Sequence, residues 1–127
     1  MFSHVMLGAD EVLAAKSFYD AVLGALGIAE GVVDDWGRVV YSTDAGKLLI
    51  TKPINGHPAT FANGGTIGFL AKAPDEVDAW HAAGLASGGS AIEDPPGVRQ
   101  ATGGRVLYLA YLRDPAGNKI CATHRII

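Results

Sequence analysis

Seven side chains in this 127-residue chain have the chemistry to hold or transform a small molecule. His4 stands at the head of a strand-like run, Val5-Met6-Leu7, where an imidazole can ligate a metal, take a proton or simply hydrogen-bond. Strand alternation puts His4 and Met6 on one face and Val5 and Leu7 on the other, so a helix covering Val5 leaves His4 looking into a cleft. Cys121, the single cysteine, shares a face with Lys119 and Thr123. A thiol there is a small buried hydrophobe or, with a nearby cation or helix N-terminus to lower its pKa, a nucleophile. No adjacent sequence feature supplies that activation, although His4 could approach in three dimensions. Tyr41 and Tyr111 each precede an aspartate by three residues, Asp44 and Asp114, and a repeat would make them related cleft positions. Thr66 offers a hydroxyl at a strand start. Lys52 and Arg105 lie beside loops, where a cation can hold an acidic ligand.

Other chemistries find no motif. His57, His81 and His124 fall in a loop, a helix and a tail, without HExxH spacing. The chain has no GxGxxG after a strand, no P-loop and no GxSxG elbow. One cysteine excludes an internal disulfide and paired-cysteine zinc sites. Ten Lys and Arg against thirteen Asp and Glu leave no basic stripe, so no nucleic-acid partner is expected. No apolar run nears the roughly 20 residues that span a bilayer, and no basic n-region opens the chain, so no membrane partner is expected and the location predicted is cytoplasmic.

These side chains need a scaffold, and hydrophobic periodicity predicts it. After the first strand, Asp10 is placed to cap a helix whose apolar residues Val12, Ala15, Phe18, Tyr19, Val22 and Leu23 recur at three- and four-residue steps. Val32-Val33, Arg38 to Tyr41 and Leu48 to Thr51 read as strands, with a loop from Pro53 to Gly65. The order then restarts with a strand from Thr66 to Ala71 and a helix opened by Pro74-Asp75. A weak strand at Ala91-Ile92, a loop from Pro95 to Gly104 and strands at Val106–Leu112 and Lys119–Ala122 complete it. Asp114-Pro115-Ala116-Gly117 has tight-turn chemistry between the last two strands. The prediction is one α+β domain over residues 1–127, made of two βαβββ modules at about 1–53 and 65–127.

The helix phrase Phe18-Tyr19-Asp20-Ala21-Val22-Leu23-Gly24, the opening of Thr66-Ile67-Gly68-Phe69 and the closing hairpin around Asp114 resemble the vicinal-oxygen-chelate superfamily of glyoxalases, bleomycin-resistance proteins and extradiol dioxygenases. That resemblance implies a curved mixed sheet around a cleft with helices on its outer face, and a homodimer that builds or completes the site. Metal-using members hold a divalent ion at positions that fall here on His4, Thr66, Cys121 and near Leu49. Only His4 is a strong ligand type, short of the three protein ligands a catalytic zinc site needs. In fosfomycin-resistance members a tyrosine aligned with Tyr111 faces the substrate. The resemblance therefore implies a small organic ligand bound without a resident metal, for sequestration or metal-independent catalysis. A divalent-metal lyase or dioxygenase is the alternative, and thiol chemistry at Cys121 a third.

Overall fold

A computed structural model describes residues 1–127 and contains the strand–helix–three-strand unit twice. Module one comprises β1 (His4–Gly8), α1 (Val12–Ala25), β2 (Val32–Val33), β3 (Val39–Thr43) and β4 (Gly46–Thr51). Module two comprises β5 (Ile67–Leu70), α2 (Pro74–Ala86), β6 (Ser90–Gln100), β7 (Val106–Arg113) and β8 (Lys119–Arg125). The strands form two four-stranded mixed sheets of matching order, β1-β4-β3-β2 and β5-β8-β7-β6. In each, the first strand runs parallel to the last and the other pairs are antiparallel. This is the expected α+β fold of two βαβββ modules. No helix is long and apolar enough to cross a membrane.

The six apolar positions of the α1 stripe are all buried. Gly27, at φ +81, ends the helix, with its N–H on the Gly24 carbonyl and the Ile28 N–H on that of Leu23, a Schellman stop that only a residue tolerant of positive φ makes cheaply. Asp10 is not the cap expected. Glu11 occupies that position without a side-chain bond, and the Asp10 carboxylate instead accepts the Ala59 N–H at 2.8 Å. Its oxygen is drawn away because the loop after β4 folds back over the end of β1. In α2, Pro74 starts the helix and the Glu76 carboxylate accepts the Lys72 N–H at 2.7 Å.

Both helices and both sheets share one core of 19 buried residues. Its tightest point is Gly84 of α2, where a Cβ would collide with Leu112 of β7 and lie 3.1 Å from Val22 of α1. The loop expected from Pro95 is largely strand. β6 runs through to Gln100, and its pairing with β7 shifts between Ile92 and Gly97. That bulge lifts Pro95 and Pro96 out of the ladder, where their missing N–H groups cost nothing.

One turn chemistry occurs twice. Asp114 accepts the N–H groups of Ala116 and Asn118 on Oδ1, and Gly117 follows at φ +94. Asp34 does the same for Trp36 and Arg38, with Gly37 at φ +76. Asp-x-x-Gly-x thus builds both the β7–β8 and the β2–β3 connections. The first binds the modules together, because the Asp114 Oδ2 accepts the Tyr19 hydroxyl at 2.6 Å and the Asn118 amide donates to the Gly8 carbonyl at 3.0 Å. The second aims two side chains at the site described next.

Candidate functional site

Each sheet has one face against the helices and one turned away. On β1, Val5 and Leu7 pack on the core while His4 and Met6 are exposed. On β8, Ile120 and Ala122 belong to the core while Cys121 does not. Of the buried apolar residues, Leu49, Leu109 and Cys121 alone fall outside the core cluster, and alternation puts all three on the faces away from the helices. Met6 (43% exposed) and Leu70 (79%) extend this apolar open face to the edge strands.

Strand register shows which positions of the two modules correspond. Leu49 pairs with Met6 of β1, and Cys121 pairs with Gly68 of β5, so Leu49 and Cys121 are equivalents. Val40 lies across from Leu49 as Tyr111 lies across from Cys121. The equivalent of Tyr111 is therefore Val40, not Tyr41. The echo of Tyr41 in Tyr111 misleads because the β3–β4 turn holds two residues, Asp44 and Ala45, and the β7–β8 turn holds five. A one-residue offset flips the face. Tyr41 accordingly points toward the helices, buried, with its hydroxyl donating to Asp20 Oδ1 at 2.8 Å and to the Lys16 carbonyl at 3.2 Å.

On the open face of module two, Tyr111 and Cys121 are cross-strand neighbours. The Lys119 ammonium lies 4.7 Å from the Tyr111 ring centroid and pairs with Glu93, which enters the β6 bulge at φ +60. Burial, and then the Glu93 charge, push the Cys121 thiol up to about 11 against the opposing pull of Lys119 and Arg99. Burial, and then Cys121 and Glu93, likewise raise the Tyr111 phenol. Both groups are protonated at neutral pH, so this patch offers hydrogen bonds and an aromatic ring, not a nucleophile.

His4 borders a mostly apolar cavity of about 230 Å³ between the modules, lined also by Val5, Tyr41, Ile67 and Phe69. Its Nδ1 shares a 2.7 Å hydrogen bond with the Ser3 hydroxyl, leaving Nε2 without a partner. Thr66 is exposed just before β5, and Arg105 is exposed just before β7. Neither lines this cavity or the groove below. No three of the His, Cys, Asp and Glu side chains meet as a metal-holding group. His4 provides one imidazole, Leu49 none and Cys121 a protonated thiol, a poor fit to the three-ligand sites that catalytic metals use.

A larger space is a groove of about 860 Å³ at the end of β1, roofed by residues 52–60. Its walls include Met6, Trp36, Arg38, Lys52, Ile54 and His57. The Asp34 turn positions two of them. Asp34 takes the Arg38 Nε–H at 2.7 Å, and the Arg38 guanidinium lies 5.0 Å from the Trp36 ring centroid. What burial Asp34 has opposes its charge, yet hydrogen bonds from the Arg38 and Trp36 N–H groups hold its carboxyl below the usual range. Of the seven side chains read from sequence, Lys52 alone reaches this groove. Trp36, Arg38 and His57 carry no local sequence signal that joins them to Lys52.

Residues 1–122 match the Glyoxalase/Bleomycin resistance protein/Dioxygenase superfamily, and the chain belongs to it. It is similar to a glyoxalase/bleomycin resistance protein from Albidiferax ferrireducens T118, at 57% identity over 98% of this chain and 99% of that one, with a TM-score of 0.94. It is also similar to a lactoylglutathione lyase from Agrobacterium tumefaciens, at 25% identity over 98% of this chain and 92% of that one, with a TM-score of 0.66. A putative glyoxalase from Bacillus halodurans shares the fold at 22% identity over 98% and 95% of the two chains, with a TM-score of 0.73. No curated protein matches.

Proposed function

We propose that this chain binds a small organic molecule on its open sheet face and does so without a resident divalent metal, either sequestering the ligand or turning it over by metal-independent chemistry. The observation that carries this reading is the pair of equivalent positions on β4 and β8. Leu49 fills one with hydrocarbon, and Cys121 fills the other with a thiol pushed up to about 11. A metal would have to displace that proton before it gained a ligand. The exposed Met6 and Leu70 on the same face support a homodimer, which light scattering on the purified chain tests directly.

A second reading, a divalent-metal lyase or dioxygenase, draws support from the unpartnered Nε2 of His4 and needs further ligands from a second chain. Elemental analysis of protein purified without chelator or affinity-tag metal separates the two. The metal-free reading expects substoichiometric transition metal. One equivalent of metal that disappears in His4→Ala would overturn it.

A further inference from the structure

We propose that the groove beneath residues 52–60 takes a planar organic anion, the carboxylate of an aromatic acid. The inference rests on the small-molecule-binding reading above and names its ligand class. Size is the first support, since about 860 Å³ lies within the ordinary range of small-molecule sites. Charge is the second. The chain carries net −3, yet the fourteen residues lining the groove include Lys52 and the Asp34-paired Arg38 and not one Asp or Glu. Lys52 makes no ion pair, and the His57 ring makes no hydrogen bond, so both are free to meet an anion. Arg38 is pinned through Nε to Asp34, which holds its remaining N–H groups in place.

The third support is a ready aromatic surface. Trp36 is 79% exposed, with Arg38 against its ring, and an exposed indole beside a fixed guanidinium suits a flat aromatic ligand with a charged end. Met6, Pro53 and Ile54 supply apolar walls for the rest of the ring system. The roof is fastened rather than loose. Asp10 clamps the Ala59 N–H, Asn55 Oδ1 takes the His57 N–H at 3.0 Å, and a Cβ on Gly8 would lie 3.3 Å from that of Ala59. Asp10 and Glu11 lie across this loop in a separate shallow depression that Lys52 and His57 also border. No ion pair joins Asp10 or Glu11 to Lys52, so the Lys52 ammonium stays available to the groove.

Isothermal titration of the purified 127-residue chain with 2-naphthoate and with neutral 2-naphthamide tests the assignment at low ionic strength. The carboxylate is expected to bind about two- to fivefold more tightly than the amide, the scale of one exposed charge contact. Lys52→Gln is expected to erase most of that preference, and Trp36→Leu to weaken both ligands. Both positions are exposed, and circular dichroism confirms that each variant is folded. Equal affinity for acid and amide, an unchanged preference in Lys52→Gln, or no naphthoate binding up to millimolar concentration would each overturn the proposal. Those results leave the metal analysis untouched, while one equivalent of His4-dependent metal would sink the metal-free reading without moving the naphthoate preference.

Discussion

Tyr19→Phe removes one oxygen from the interior and reports on how the two modules are held together. Tyr19 is fully buried, and its hydroxyl donates to Asp114 Oδ2 at 2.6 Å. That length is characteristic of a charge-assisted O–H···O⁻ bond. The carboxylate, only 3% exposed, keeps three further donors, the N–H groups of Ala116 and Asn118 and the Asn118 amide. The substitution therefore deletes one hydrogen bond to a charged group and leaves neither a large cavity nor a bare charge. The cost is about 1.5–3 kcal/mol. At roughly 3–5 °C per kcal/mol for a domain of this size, the melting temperature falls by roughly 5–15 °C. Asp114→Ala removes the acceptor of the Tyr19 hydroxyl and of the Ala116 and Asn118 N–H groups and costs more, about 3–5 kcal/mol.

Urea titrations followed by circular dichroism of wild type, both single variants and the double variant close a thermodynamic cycle. The expected coupling is about 1.5–3 kcal/mol, because the double variant cannot lose the same bond twice. Additive single costs, or a Tyr19→Phe variant within about 0.5 kcal/mol of wild type, would refute the reasoning. The same pair sets an alkaline limb. Burial first, and then the Asp114 charge, raise the Tyr19 phenol well above 10. The folded state thus retains a proton that the unfolded chain loses, so stability is complete below about pH 10 and declines as pH rises further. Tyr19→Phe flattens that decline.

Three further outcomes follow from the packing. Cys121, buried and pushed up to about 11, should resist aromatic disulfide reagents at pH 8 in the folded protein and react at once in denaturant. Its raised value also contributes stability below pH 9 that fades toward pH 11, and Cys121→Ser should lose that component; rapid labelling at pH 8 would contradict the burial argument. Gly84→Ala should cost about 1–3 kcal/mol by overpacking against Leu112 and Val22, despite the usual preference of helices for alanine, and a stabilised variant would show that the contact yields. Asp10→Ala should lower hydrogen-exchange protection of the Ala59 amide by roughly fivefold, the scale of one ordinary hydrogen bond, without moving the global transition.

What the sequence revealed tracks the range of the interactions involved. The α1 stripe was legible because its six positions answer to a local period and to one shared core. The Asp114 turn was legible as a turn, since Asp, Pro and Gly act on their own backbone. Its grip on Tyr19 and Gly8 was not, because no local rule links residues so far apart. Only the start of β6, at Ala91-Ile92, reads as strand, because Pro-Pro argues against a ladder beyond it, and the bulge that excuses both prolines depends on β7. Tyr41 was set beside Tyr111 by counting back from an aspartate, and the unequal turns carried the count onto the wrong face. The groove suffered most. It draws on β1, on the Asp34 turn and on residues 52–60, and only folding brings Trp36, Arg38 and Lys52 around one volume.

The Asp114 clamp also bears on the timing of folding. Its bonds join residues 95 and 110 positions apart, Tyr19 to Asp114 and Gly8 to Asn118. On the ribosome the N-terminal half emerges first, with a hydroxyl and a carbonyl whose partners lie 95 and 110 residues further along the chain. Closing so long a loop is slow relative to local helix formation. The seam between the modules therefore closes only after residues 114–118 have emerged. Until then the nascent chain carries an unsealed seam that a chaperone or protease can engage.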